Sequence, residues 1–299
     1  MIPDPRQEDA LTVVTVLTPD PADPSYAGQW PGVLERLGAA LAMADISVSP
    51  TPWTEHVEDA SRLASAGLVL PLIVWGYHRD HARWLTATRT WAAAGIRMLN
   101  PPGVLGWNSD KRYLGRLAER GVALPPTVWV EDVTQADADA AFDRFGTDVL
   151  VIKPRVSGGA WKTLRLRRGE ALADAPEGAA MIQPYLPSIE TEGETSLLFF
   201  GGRLSHVVRK SPVPGEFRIQ VQFGGRYETL AAPPAGALAL AEATLAAIDE
   251  DLLYARIDVA RGPDGGWLLM EAELIEPDFY LGNAPDGGRM FAEAVRARL

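Results

Sequence analysis

The apolar pattern of the 299-residue chain changes character about a third of the way along, and that change constrains its fold most. Ahead of residue 103, short apolar runs alternate with helix-period segments. Residues 11–17 (LTVVTVL) read as a buried strand, and Leu34, Leu37, Leu41 and Ala44 then fall at helical spacing. Residues 46–49 supply a second strand, 67–75 a third, 79–94 a helix and 96–99 a short strand before Asn100-Pro101-Pro102. Such alternation implies parallel strands joined by helical crossovers. A helix over 111–120, a strand over 127–130 and a helix over 137–145 come next. Beyond them strands arrive in adjacent pairs: 149–153 with 163–167, 195–200 with 204–209, and 217–223 with 226–229. Gly201-Gly202 and Gly224-Gly225 sit at turns, where positive φ costs little. Residues 234–251 form one long helix with an apolar face, and 255–261 with 267–273 a last hairpin. The fold class expected is α/β followed by antiparallel α+β.

Composition excludes several functions. The absence of cysteine removes disulfides, thiolate metal sites and thiol nucleophiles. A net charge of −11 argues against nucleic acid or an anionic membrane as the main partner. The first ten residues (MIPDPRQEDA) are acidic, with no basic stretch before a long apolar run, so neither a signal peptide nor a membrane span is expected. The expectation is a cytoplasmic protein.

Chemistry concentrates at a few places. In the strand 267–273, Glu271 and Glu273 share a face because side chains alternate with period two, and Asp258 lies on the partner strand. Three converging carboxylates either hold a hard cation through oxygen or form a solvated acidic face. Lys153 ends a strongly apolar strand, where an unmatched ammonium is costly to desolvate. Ser157-Gly158-Gly159 follows it, a turn able to present backbone N–H groups to phosphate, or simply a hairpin. It is not a P-loop, because Trp161 replaces the glycine needed before Lys162-Thr163. Lys111, Lys210 and Arg218 add basic points, with Ser109 or Asp110 as a cap beside Lys111 and Arg218 sharing a strand face with Gln220. His78 and His81 read as solvated or capping side chains rather than metal ligands. His206 is a candidate general base, Trp161 a residue that moves with the glycine loop, and Glu276 a carboxylate that orders a substrate amine or an ordinary loop acid.

Taken in order, Lys111, Lys153 with its glycine loop, Gln183-Pro184-Tyr185-Leu186, Gly193-Glu194, Lys210, Arg218, Asp258 and Glu271-Ala272-Glu273 resemble the ATP-grasp superfamily. Within it, the runs 183–225 and 271–281 are similar to the branch of cyclo-ligases that form cycloserine. The resemblance implies a pre-ATP-grasp domain over 1–103 and two ATP-grasp subdomains over 104–186 and 187–299. By it, Lys111, Lys153, Ser157, Gly158 and Gly159 would hold the ATP phosphates. Gln183, Tyr185 and Leu186 would form the adenine hinge through backbone groups, with Glu194 near the nucleotide. Lys210 and Arg218 would face the γ-phosphate and acyl phosphate, Arg218 also taking the substrate carboxylate. Asp258, Glu271 and Glu273 would bind magnesium, with manganese the alternative ion; the family more often has Asn where Glu273 stands. The implied partner is a small amino-acid-like molecule, and a homo-oligomer is left open. The implied reaction activates O-ureido-D-serine as an acyl phosphate and closes it to D-cycloserine. A two-substrate ATP-grasp amide ligase and a non-catalytic nucleotide binder are the alternatives.

Overall fold

The computed structural model describes residues 12–216, 218–220 and 223–299. The expectations on residues 1–11, and the part of the 217–223 strand carried by 217, 221 and 222, lie outside the described residues.

The first third contains β1 (Thr12–Thr18), α1 (Trp30–Ala42), β2 (Ile46–Pro52), α2 (Ser61–Ala64), β3 (Val69–Leu70) and α3 (His81–Ala93). Strands β2-β1-β3 form a parallel sheet, with Thr12 opposite Ile46 and Thr15 opposite Val69. The strand expected over 67–75 shrinks to Val69–Leu70. Pro71 lacks an N–H to extend the ladder, yet Leu72, Ile73 and Val74 stay buried. The strand expected over 96–99 is a single parallel bridge, Val69 to Met98. Asp80 starts α3 by accepting the Arg83 N–H at 3.1 Å.

The middle of the chain contains α4 (Pro102–Asn108), α5 (Tyr113–Glu119), β4 (Val128–Val130), α6 (Gln135–Phe145), β5 (Val149–Pro154), β6 (Leu164–Arg167) and β7 (Ala180–Pro184). Their strands run β4-β7-β5-β6, antiparallel at every pairing. Thr134 and Asp137 close a reciprocal cap on α6, which ends at Gly146 with φ 59°. This sheet carries its own apolar core, built from Phe142, Leu150, Ile152, Leu166 and Ile182 among others.

The remainder holds α7 (Ser188–Thr191), β8 (Glu194–Phe200), β9 (Arg203–Ser211), β10 (Arg226–Leu230), α8 (Ala237–Ile248), β11 (Tyr254–Arg261), β12 (Trp267–Glu273) and α9 (Arg289–Arg296). Its sheet runs β10-β9-β8-β11-β12. Gly201 and Gly202, at φ 55° and 75°, make the tight turn between β8 and β9. Of the hairpin expected from 217–223 and 226–229, the described residues 218–220 and 223 are in no strand. Strand β10 pairs instead with β9, Tyr227 opposite Lys210. Gln220 accepts the N–H groups of Phe223 and Gly225, a turn rather than a strand. A Cβ at Gly225 would lie 1.9 Å from the Ile219 carbonyl oxygen, so this turn admits only glycine. Helix α9 packs on α1 and β8 and buries Phe291, Ala292 and Val295 in a core that also takes Val14, Leu41, Phe200, Tyr254 and Phe279. No described helix is long and apolar enough to cross a membrane.

Candidate active site

One cavity of about 1150 Å³ is lined by residues from both antiparallel sheets and, in the first domain, from α1 and the stretch 72–79. Every residue singled out above for ATP, metal or acyl phosphate lies on its wall, whereas His206, the candidate general base, does not. The register of β11 and β12 places Asp258 opposite Glu271 and Arg256 opposite Glu273.

The charges on that wall are already matched in pairs. Lys210 Nζ lies 2.6 Å from Glu194 and 3.0 Å from Asp258. Asp258 also accepts from Ser196 Oγ at 2.5 Å and from Arg256 at 3.1 Å. Arg256 bonds Glu273 as well, and Lys111 Nζ sits 2.6 Å from Glu271. Burial works against the Asp258 charge, but Arg256 and Lys210 overcome it and hold that carboxyl at about 2. Burial pushes Glu273 up to about 7, Arg256 opposing and Glu271 and Asp258 adding to the rise. The expectation of three carboxylates poised to share an ion is corrected on this point. Among the described residues no three acidic or histidine side chains stand close enough to hold a metal, and each of the three carboxylates has a cation against it. The donor chemistry still fits a hard divalent ion. All donors are oxygens, and Glu271 and Glu273 repel one another on one strand face. Lys210, likewise, stands inside a buried ion cluster rather than open to a phosphate.

Lys153 differs from the other cations. Half-buried at the end of β5, it makes no hydrogen bond or ion pair among the described residues, and burial lowers its pKa, against the pull of Glu271. The loop beyond it turns through positive φ at Gly159, Ala160 and Lys162. A Cβ at Gly158 would stand 3.3 Å from His78 Nδ1, so glycine lets the loop close on the first domain there. Trp161 flanks the same histidine, ring centroids 5.9 Å apart.

At the hinge, Gln183 spends its side chain on Thr127 Oγ1 at 3.0 Å. The Tyr185 N–H donates to Val149, and the Leu186 carbonyl accepts from Ile189. Of the backbone groups these two residues are expected to present, the Tyr185 carbonyl and the Leu186 N–H are those not spent in these bonds.

Arg218 departs from expectation. It is on no strand, and its fork closes on Glu216 at 2.7 and 3.0 Å while stacking over Phe223. Arg256 is the deeply buried guanidinium beside the carboxylates, and the alternation Arg256-Ile257-Asp258 was the signal that could have found it. His206 gives its ring nitrogens to Phe279 and Ser205 and is not on the cavity wall, which removes it as a general base. His81 contacts Ser109 at 2.8 Å. His78, expected to be solvated, lines the cavity instead, and burial lowers it to about 4, with Arg79 and Lys111 adding. A histidine held neutral in the fold costs stability wherever the unfolded chain would take the proton, below about 6.5. The stability difference between wild type and His78→Gln should therefore shift toward the variant from pH 7 down to about 4 and then level off. Urea midpoints at pH 7.5 and 4.5 measure it; a constant difference would refute a neutral His78.

Residues 13–100 match a family model described as the N-terminal domain of the D-cycloserine synthetase DcsG. Over 280 residues the chain is 30% identical to the cycloserine biosynthesis protein DcsG of Streptomyces lavendulae, covering 87% of this chain and 91% of the relative. The chain belongs to the DcsG family. A crystal structure of D-cycloserine synthetase DcsG superposes with a TM-score of 0.78 at 26% identity, over 96% of this chain and 99% of that one. The ATP-grasp ligase PsnB, complexed with a phosphomimetic variant of a minimal precursor, Mg and ADP, superposes at 0.64 with 16% identity, over 95% and 98%. The DcsG-family chain thus has the ATP-grasp fold, as its motif order implied, with a parallel sheet ahead of two antiparallel ones.

Proposed function

We propose that this chain is an ATP-dependent ligase that closes O-ureido-D-serine to D-cycloserine through an acyl phosphate. The observation that supports it most directly is Lys153. An unmatched ammonium beside a glycine loop, in the same cavity as a carboxylate-bearing strand, is a site lacking only its polyphosphate. In a DcsG-family chain, that polyphosphate is ATP.

Lys153 and the 157–159 loop take the phosphates, and the Tyr185 carbonyl and Leu186 N–H meet adenine. The γ-phosphoryl group passes to a carboxylate oxygen of the substrate, leaving ADP and an acyl phosphate. The ureido nitrogen bonded to oxygen attacks the acyl carbon and loses its proton as phosphate departs, closing the five-membered ring. Hydrolysis of the carbamoyl group then releases carbon dioxide and ammonia. Lys111 would face the charge that builds on the transferring group, while Lys210 and Arg256 hold the carboxylates in place, and fixed cations in a dry site stabilise such charge without reorganising. Glu271, Glu273 and Asp258 would hold magnesium, which when bound neutralises phosphoryl oxygens. Nucleophile and acyl carbon belong to one molecule, so the enzyme has mainly to fold the substrate and exclude water.

The test is ADP release with magnesium and O-ureido-D-serine as the one organic substrate, the product followed by mass. Cycloserine formed in step with ADP supports the reading. ADP release only with an added amine makes the protein a two-substrate ligase, and no ADP release under either condition refutes the ligase. Glu271→Gln should lower kcat by at least about 100-fold, on the scale of removing one transition-state charge contact. Its far-ultraviolet spectrum should match wild type, and normal ADP production would sink the carboxylate assignment.

A further inference from the structure

The carboxylate that the reaction above leaves unused is Glu276. It lies three residues beyond the end of β12, on the cavity wall, where that strand's alternation no longer governs its direction. The two residues ahead of it are tied down. Asn108 Oδ1 accepts the Leu274 N–H at 3.0 Å, and Asn100 Nδ2 donates to the Leu274 carbonyl at 2.8 Å. The Tyr254 hydroxyl donates to the Ile275 carbonyl at 2.7 Å, and Pro277 follows on the far side. Three buried side chains thus fix the backbone leading into Glu276, whose own carboxylate makes no hydrogen bond or ion pair among the described residues.

The surrounding charges explain that vacancy in the pairing. Lys111 is committed to Glu271, and Arg256 to Asp258 and Glu273. Arg79, on the same wall, is committed to Asp23 at 2.8 Å. The same wall carries Tyr26, Trp75 and Tyr77, and the Tyr26 and Trp75 rings stand 5.6 Å apart. Burial with no cation against it pushes Glu276 up to about 8, and Glu276 in turn adds to the rise that burial gives the Tyr26 and Tyr77 hydroxyls. A fixed carboxylate without a cation, beside aromatic faces, is the surrounding that a primary ammonium seeks.

We propose that Glu276, against the wall of Tyr26, Trp75 and Tyr77, forms the subsite for the α-ammonium group of the substrate. The inference rests on the ligase reading and extends it: Lys153 takes the nucleotide phosphates, while Glu276 sets which carboxylic acids are accepted. Substrates carrying a free amine next to the reacting carboxylate are selected, and the acyl group is presented in one orientation.

The experiment compares O-ureido-D-serine with its deamino analogue, 3-(ureidooxy)propanoate, in wild type and Glu276→Gln. Wild type should prefer the amine-bearing acid by about 10- to 100-fold in kcat/KM, the scale of a hydrogen bond to a charged group. Glu276→Gln should raise KM for O-ureido-D-serine by a similar factor and erase the preference. KM for ATP and the magnesium requirement should not move. If Glu276→Gln does not fold, the wild-type preference alone decides, and equal use of both acids overturns the subsite. An unchanged KM in the variant, or a raised magnesium requirement, also overturns it. If wild type neither binds nor turns over O-ureido-D-serine, the cycloserine reading falls and takes the subsite with it, an outcome distinct from an active wild type with a silent variant.

Discussion

Replacing Lys210 with methionine should destabilise the protein by about 3–5 kcal/mol, the usual cost of breaking a buried ion pair from one side. The Lys210 side chain is 4% exposed and lies between Glu194 and Asp258, themselves 12% and 3% exposed. Without the ammonium, two carboxylates face one another across paired strands β8 and β11, with Arg256 alone to answer them. Burial and Asp258 already raise the Glu194 pKa against the pull of Lys210, so Glu194 would take up a proton in the variant. The destabilisation should therefore shrink as pH is lowered, since a neutral Glu194 no longer needs a partner. Urea denaturation at pH 8 and pH 5 measures both effects. A loss below about 1 kcal/mol at pH 8 would mean that water reaches this cluster and the pairing matters little.

Lys153→Met should do the opposite to the fold. Its ammonium is half-buried with no ion pair among the described residues, so methionine removes a desolvation cost and forfeits no contact. The thermal midpoint should stay level or rise. ATP affinity should fall by about 10- to 100-fold, the scale of one charge-assisted hydrogen bond to phosphate. Calorimetric titration of ATP and a melting curve on the same sample test the two halves. A variant that melts lower would show that Lys153 supports the fold. One that binds ATP as well as wild type would remove it from the nucleotide site.

Local patterning carried much of this architecture. The apolar run 149–153 and the alternation along 267–273, with glycines at 201 and 202, were enough to identify β5, β12 and the β8–β9 turn, because those features depend on neighbours in sequence. The 217–229 hairpin was misread for the same reason. Gly224-Gly225 looks like a two-residue turn, but Tyr227 finds its partner in Lys210, well outside any local window. Val69–Leu70 was overextended because an apolar run signals burial, and burial here continues past Pro71 without a ladder. At the site, the motif order located the residues on the cavity wall, while their partners were invisible. That Arg256 closes on Glu273 and Lys111 on Glu271 depends on the fold bringing separate segments together, whereas Glu216 closes on Arg218 from only two residues away. Arg256 escaped notice because a charged residue within an apolar strand reads as exposed until its burial is seen.

The last helix, α9, packs on α1 and β8, and one apolar core runs from Val14 through Phe200 and Tyr254 to Phe291. The first domain and the last sheet are in this way riveted into a single block, whereas β4 to β7 keep a core of their own and reach into the core of the last sheet through Trp129 and Met181. The cavity is thus bounded by two separately cored bodies, and the glycine loop of one meets His78 of the other at its rim.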